Sequence, residues 1–128
     1  MELKVAVSPG ELIDKITILQ IKSERIEDAP KRQNVLVELG ILDQEKTSSI
    51  PKSKELDALS NQLKQVNSEL WDIEDDIRDK ERNKEFDEIF IELARSVYIT
   101  NDKRARLKKE INVLLSSKIV EEKSYSDY

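Results

Sequence analysis

The sequence predicts an all-α protein organised around a long antiparallel coiled-coil hairpin that packs with two shorter N-terminal helices. Three observations predict this fold class. Apolar residues recur at alternating spacings of three and four from Lys54 to Leu115, which is the heptad pattern of paired helices. The polar run 82–85 interrupts this pattern once. Only two Gly and three Pro occur in 128 residues, while 38% are charged and 38% hydrophobic, a balance typical of long helices with solvated outer faces.

The hairpin has two arms of similar length, residues 53–83 and residues 85–116. The seam of the first arm consists of Leu56, Leu59, Leu63, Val66, Leu70, Ile73 and Ile77. The seam of the second arm consists of Phe86, Phe90, Leu93, Val97, Thr100, Arg104, Leu107, Ile111 and Leu114. Because the polar run between them is too short for any other connection, the arms are expected to fold back on each other as an antiparallel pair.

A capping signal predicts where the first helix begins. Ser8 is followed by Pro9 and then by Glu11, which is the pattern of a capping box with proline at the first helical position. The helix is predicted over residues 9–28. Its apolar positions cover more than one stripe, so we expect it to be buried on two sides.

The remaining segments complete a single helical domain over residues 1–128. Residues 2–7 alternate between apolar and polar side chains and predict a short strand or an extended arm. If it is a strand, it could pair with the C-terminal end of the chain or across a dimer. A second helix is predicted over 30–44, followed by a loop, and residues 117–128 are expected to form an extended tail.

Charge and composition exclude several classes of function. The net charge is −5 with both signs interleaved, whereas nucleic-acid binding needs clustered Lys and Arg, so neither a nucleic-acid partner nor an anionic membrane is expected. The absence of Cys excludes disulfides and thiolate sites, and the absence of His removes the commonest general base. No signal peptide or apolar membrane span is visible, which predicts a cytoplasmic protein.

A polar break in the second arm is the first candidate site. Thr100 and Arg104 occupy seam positions that heptads normally give to apolar residues. One interpretation is that Arg104 passes along the seam and pairs with a carboxylate, which fixes the register. The other interpretation is a polar pocket for an anionic ligand. The candidate ligand-binding residues are Lys15, Trp71, Asp72, Arg95, Tyr98, Asn101 and Arg104.

An acidic run over residues 69–76 is the second candidate site. Carboxylates three and four residues apart lie on one helix face and could hold Mg²⁺, as in the all-α nucleoside triphosphate pyrophosphohydrolases. The candidate metal ligands are Asp72, Asp76, Glu88 and Glu92. Interleaved Arg and Lys residues favour a solvated, salt-bridged face instead. Outside this alternative no cofactor is predicted.

The first helix also loosely resembles the first helix of the all-helical chorismate mutases. That activity would require several cations to converge on a dicarboxylate. Those available are Lys15, Lys22, Arg25 and Arg104. Their spacing does not match closely, so this alternative is not favoured.

Three blocks together resemble a known family. They are SPGELIDKITIL at residues 8–19, LWDIED at residues 70–75 and FIELAR at residues 90–95. These blocks resemble an uncharacterised family of small bacterial helical proteins, a domain of unknown function. The resemblance covers nearly the whole chain and implies no established catalytic residues.

These observations favour a non-enzymatic helical module for protein–protein interaction or assembly. Trp71, Ile91 and Tyr98 lie off the hairpin seam, where either the first two helices or a second copy of the chain could cover them. We therefore expect a homodimer, with a further protein partner also possible. The alternatives are a protein that binds a small anionic molecule and a metal-dependent all-α hydrolase that uses the hairpin carboxylates.

Overall fold

The chain forms four α-helices and no strand, so the predicted all-α class is confirmed. The computed structural model describes residues 1–128. Helix α1 spans Pro9–Arg25, α2 spans Ala29–Ser49, α3 spans Lys54–Arg82 and α4 spans Glu88–Leu114. Residues 1–7 adopt no regular structure, so of the strand and the extended arm considered for them the strand is absent. Residues 117–128 also lack helix and strand.

Local sequence signals explain where each helix begins. The side chains of Ser8, Asp28, Ser53 and Asp87 each accept a hydrogen bond from a backbone N–H in the first turn of the following helix. These bonds satisfy donors that have no partner inside the helix.

A residue with left-handed backbone geometry lies two positions beyond the last residue of both α3 and α4. Lys84 has a φ of 57° and Ser116 a φ of 52°. In each case two backbone N–H groups bond back to carbonyls of the last helical turn, as in a Schellman motif. Glycine is the usual residue at this position. The predicted arms, residues 53–83 and 85–116, nevertheless end within two residues of the observed helices, whereas α4 begins three residues later than predicted.

Helix α2 is longer than the sequence predicts, because it continues to Ser49 instead of ending near residue 44. The Thr47 hydroxyl donates to the Asp43 carbonyl at 2.9 Å, and the Ser49 hydroxyl donates to the Glu45 carboxylate at 2.9 Å. These side chains bond within the helix and do not compete with it. Helix α1, in contrast, ends at Arg25, before the predicted residue 28, because Asp28 caps α2.

The core lies at one end of the hairpin formed by α3 and α4. We call residues 54–72 and 100–114 the hairpin base and residues 73–99 the hairpin tip. Helix α1 packs against both α3 and α4 at the base, whereas α2 contacts α1 alone. The buried apolar cluster consists of Ile13, Leu56, Leu63, Val66, Leu107 and Ile111. No residue of the hairpin tip is buried.

No helix of this fold has both the length and the apolar composition needed to cross a lipid bilayer.

Candidate functional site

A buried carboxylate joins three helices at the hairpin base. The Asp14 side chain on α1 is 1% exposed. The Arg104 Nε atom on α4 donates to its Oδ1 at 2.9 Å, and the second guanidinium nitrogen donates to its Oδ2. From α3, the Asn67 amide donates to Asp14 Oδ1 at 2.9 Å. Both carboxylate oxygens therefore have donors, which offsets the cost of burying the charge.

The hydrogen bonds continue within α1. The Asn67 amide also donates to the Thr17 hydroxyl at 2.9 Å, and that hydroxyl donates to the Asp14 carbonyl at 2.8 Å. Every buried side-chain nitrogen and oxygen in the chain has a hydrogen-bond partner. The bond to Asp14 raises the pKa of Arg104, so the guanidinium stays charged in the cluster. We call Asp14, Thr17, Asn67 and Arg104 the polar clamp.

A second ion pair lies beside the polar clamp, one turn along α4. The Lys108 ammonium is 2.6 Å from the Glu11 carboxylate and 3.3 Å from that of Glu121 in the C-terminal tail. Burial by itself would raise the pKa of Glu11, but the hydrogen bond and charge of Lys108 outweigh burial, and the pKa is lowered. Burial likewise would lower the pKa of Lys108, yet its acidic partners raise it. Each member therefore keeps the other charged.

Only one of the two hydrogen bonds of the predicted capping box forms, because Glu11 takes part in this ion pair instead. The Ser8 hydroxyl accepts from the Glu11 N–H at 3.1 Å, as the sequence predicts. The Glu11 carboxylate, however, binds Lys108 and does not reach back to the Ser8 N–H. A cation at 2.6 Å is a stronger partner for a carboxylate than a neutral amide.

Gly10 allows α1 to approach the backbone of α4. Its N–H donates to the Asn112 side-chain oxygen at 2.7 Å. A Cβ atom at this position would lie 2.4 Å from the Lys108 carbonyl oxygen. Only a residue without a side chain fits there, so Gly10 fixes how closely the two helices pack.

The structure distributes the seven predicted ligand-binding residues over separate contacts. Arg104 binds Asp14, while Trp71 and Asp72 meet Arg25, whose guanidinium lies 5.7 Å from the indole centroid and 2.5 Å from the carboxylate. Tyr98 packs edge-on against Tyr128, with ring centroids 5.0 Å apart.

The other three predicted ligand residues do not join Arg104. Lys15 is exposed and lies 3.9 Å from Glu11. Arg95 is exposed on the hairpin tip, and Asn101 is half-buried on α4. The interpretation in which Arg104 pairs with a carboxylate therefore describes its geometry, and the carboxylate is that of Asp14.

The four predicted metal ligands do not form a cluster. Asp72, Asp76, Glu88 and Glu92 are all exposed, and no three acidic side chains of the chain lie close enough together to hold a metal ion. Asp72 is engaged by Arg25. Glu74, in the same acidic run, pairs with Arg78 at the surface.

Sequence reasoning did not identify the assembled clamp, although α1 carries a signal for it. Asp14 and Thr17 are three positions apart and lie among the five isoleucines and leucines of residues 12–19, so both face the same apolar surroundings. A polar pair in such a position needs partners from another helix. Asn67, beside the seam residue Val66, carries no comparable signal.

A groove of about 390 Å³ runs between the end of α4 and the C-terminal tail. Its cations are Arg106, Lys108, Lys109 and Lys123, and its carboxylates are those of Glu121 and Glu122. The groove is open on one side and lies next to the ion pair of Glu11 and Lys108.

The pattern over the whole chain identifies its family. A family model matches residues 3–128. The chain belongs to DUF6165, a family of unknown function. Membership in an uncharacterised family, predicted from the sequence blocks, is thus confirmed. Comparison with curated proteins and with solved structures gives no significant match. Membership in DUF6165 assigns no function to the polar clamp or to the groove.

Proposed function

We propose that this protein is a non-enzymatic, cytoplasmic assembly module that acts as a homodimer through helix–helix contacts. The observation that carries the proposal is the exposed surface. The chain exposes 9325 Å², whereas a compact monomer of 14.9 kDa exposes about 7,000 Å². Only 17 of the 128 residues are buried. Both the extended termini and the exposed helix faces contribute to this excess.

The long hairpin suits a scaffold. Its heptad pattern supports an antiparallel coiled coil, in which the base is held by α1 and the tip projects beyond it. Exposed apolar residues on the tip include Phe86, Ile89 and Ile91. A projecting pair of helices with such residues is suited to contact another protein.

The polar clamp supports a structural role more than a catalytic one. A catalytic base or nucleophile needs a lone pair or proton that can reach a substrate. Both oxygens of Asp14 are already occupied by Arg104 and Asn67, and the aspartate side chain is closed to solvent. Its geometry is suited to fixing the positions of three helices relative to one another.

Sedimentation equilibrium at micromolar concentrations tests the homodimer. We expect a species of twice the 14.9 kDa chain mass. The mass should fall toward that of one chain on dilution, with a midpoint that gives the dissociation constant. A species of one chain mass at every concentration would overturn the proposal.

A second candidate function is binding of a small anionic molecule in the groove beside α4. Arg106, Lys109 and Lys123 favour it. Lys108 is already paired with Glu11 and Glu121, and the groove's two carboxylates oppose an anionic ligand. Thermal-shift measurements with inorganic phosphate, sugar phosphates and dicarboxylates, each with and without Mg²⁺, test this candidate. A ligand in the groove should raise the melting temperature, and the increase should disappear in Lys109→Ala. If no compound raises it, this candidate is rejected.

A further inference from the structure

The solvent-facing side of α2 carries no charged residue. Helix α2 packs on α1 through Val35, Leu39 and Leu42, which are buried or half-buried. At 3.6 residues per turn, an arc of about 160° on the opposite side contains only uncharged residues. They include Gln33, Leu36, Val37, Gly40, Ile41 and Gln44, and all six are exposed.

The charged residues of α2 lie on the other side, within about a quarter-turn of the face that contacts α1. They are Lys31, Arg32, Glu38, Asp43, Glu45 and Lys46. An ordinary surface helix has the opposite arrangement, with its charges farthest from the core. In a chain with 38% charged residues, an uncharged outer face on a 21-residue helix is therefore a departure that solvent exposure does not explain.

Gly40 provides an independent observation at the centre of this face. Glycine in the middle of a helix is less favourable than any residue except proline. Inside the chain nothing compensates for this, because a Cβ atom at Gly40 would meet no atom within 4 Å. Gly10 differs, since α4 fills the space beside it. A glycine with no packing role within the chain is explained if another helix approaches it closely.

We infer that the outer face of α2 is the surface through which two copies of this chain associate, with the two α2 helices crossing at Gly40. This inference rests on the proposed homodimer and assigns its interface. Val37 and Ile41, which are 55% and 48% exposed, would be buried on either side of the crossing.

Charge favours a second copy as the occupant. In a two-fold contact each residue near the axis meets its own copy, so any charge at the centre is repelled by itself. The molecule carries a net charge of −5, and residues 73–99 of the hairpin tip hold nine acidic and five basic residues. Contact between two hairpin tips would therefore bring like charges together. Contact between two outer faces of α2 would not.

The polar residues of the face are also compatible with self-contact. Gln33 and Gln44 flank the crossing point on α2. A side-chain amide both donates and accepts hydrogen bonds, so it can pair with an identical amide. Helix α2 is about 31 Å long, and a stable dimer needs about 800 Å² from each partner. The outer face of α2 supplies part of this area in such a dimer, and the surfaces beside it supply the rest.

A matched pair of variants tests the assignment by sedimentation equilibrium of the full chain. Ile41→Glu places two carboxylates beside the crossing, and Ile89→Glu makes the same change at a residue of similar exposure, 55%, on the hairpin tip. We expect Ile41→Glu to weaken the dimer by at least about 100-fold. Ile89→Glu should change the dissociation constant by less than about threefold. Far-UV circular dichroism should show the wild-type helix content for both.

The outcomes separate this inference from the proposed function. A wild-type chain that stays monomeric overturns both proposals. A wild-type dimer that Ile41→Glu leaves intact, or that both variants weaken equally, overturns the α2 interface and leaves the homodimer standing.

Cross-linking provides a second test that does not depend on weakening the dimer. Since the chain has no cysteine, Gly40→Cys introduces a single thiol. A disulfide requires Cα atoms within about 7 Å, which a crossing at residue 40 provides. We expect Gly40→Cys to form a reducible dimer under mild oxidation much faster than Ile89→Cys. Equal rates for the two variants would overturn the crossing at Gly40.

Discussion

The base and the tip of the hairpin share one heptad pattern but differ in burial. At the base, Leu63 and Ile111 are completely buried, whereas no seam residue of the tip is buried. The difference arises because every hydrogen bond from α1 to the hairpin goes to the base, and α2 contacts neither arm. Two helices alone leave each seam residue open on its flanks. A heptad pattern therefore specifies which helix faces meet, and a third helix is needed to exclude water from them.

The same comparison applies to the ion pairs of the two regions. At the base, the carboxylate of Asp14 is closed to solvent and receives bonds from two helices. At the tip, Lys80 pairs with Glu85 and Asp87, whose side chains are about half exposed. Water screens the second set and competes with it, so similar bond lengths correspond to very different effects on stability.

The largest predicted loss of stability comes from removing the cation of the polar clamp. Arg104→Ala leaves the Asp14 carboxylate buried without its partner and should lower the free energy of unfolding by about 3–5 kcal/mol. Arg95→Ala, at an exposed arginine of the tip, should change it by less than about 0.5 kcal/mol. Urea denaturation followed by Trp71 fluorescence measures both. A loss below about 1 kcal/mol for Arg104→Ala would contradict a stabilising role of the polar clamp.

Leucine truncation compares the two halves of the seam directly. Leu63→Ala creates a cavity in the buried cluster and should cost about 2–5 kcal/mol. Leu93 occupies an equivalent seam position in the tip but is already half-exposed. Leu93→Ala should therefore lower the free energy of unfolding by less than about 1.5 kcal/mol. Equal losses in urea denaturation would mean that the tip is as well covered as the base, for example by a partner copy.

Glycine substitution examines how α1 docks on the base. Gly10→Ala would place its Cβ 2.4 Å from the Lys108 carbonyl and should cost about 1–3 kcal/mol as the helices move apart. In Gly40→Ala the new Cβ has no atom within 4 Å. The higher helix propensity of alanine should therefore raise the free energy of unfolding of the monomer by up to about 1 kcal/mol. Thermal unfolding at concentrations where the chain is monomeric shows whether each substitution lowers or raises the melting temperature. A destabilising Gly40→Ala under those conditions would contradict an open outer face of α2.

The smallest predicted effect is on pH dependence. The folded-state pKa of Glu11 is lowered from its ordinary 4.5, so its ion pair with Lys108 stabilises the fold above that pH. This stabilisation is lost as the pH falls from 4.5 through the folded-state pKa. Glu11→Gln should therefore flatten the decline in melting temperature below pH 4.5.

A tip residue provides the control for this pH experiment. The hydrogen bond from Lys80 also lowers the pKa of Asp87. The side chain of Asp87 is about half exposed, however, whereas that of Glu11 is about a quarter exposed, so the Asp87 ion pair should contribute less. Asp87→Asn, which can still cap α4, should flatten the decline less than Glu11→Gln. The opposite ranking would place the stronger ion pair at the tip.

Much of the fold could be predicted from the sequence because its signals are local. Ser8 and Pro9 predict the start of α1, and the structure has that start. The end of α2 could not be predicted, since Thr47 and Ser49 are typical of loops but bond within the helix. The ends of α3 and α4 lie within two residues of the predicted 83 and 116, although Lys84 and Ser116 stand where glycine is usual.

The candidate site was predicted only in part. The break at Arg104 in the seam predicts a carboxylate partner, but 27 acidic residues were available and periodicity does not choose among them. The partner, Asp14, lies 90 residues away in the chain. Two of the other residues grouped with Arg104 as a ligand site, Tyr98 and Asp72, instead contact Tyr128 and Arg25.

The sequence by itself determined the caps, the seam of the hairpin and the uncharged face of α2. Each of these depends on residues that lie within a few turns of one another on a single helix. Only the tertiary structure decided that α1 covers the base, that Asp14 is the partner of Arg104 and that Gly10 touches the backbone of α4. Those contacts join residues up to 102 positions apart. Their geometry depends on how whole helices pack, which helical periodicity does not encode.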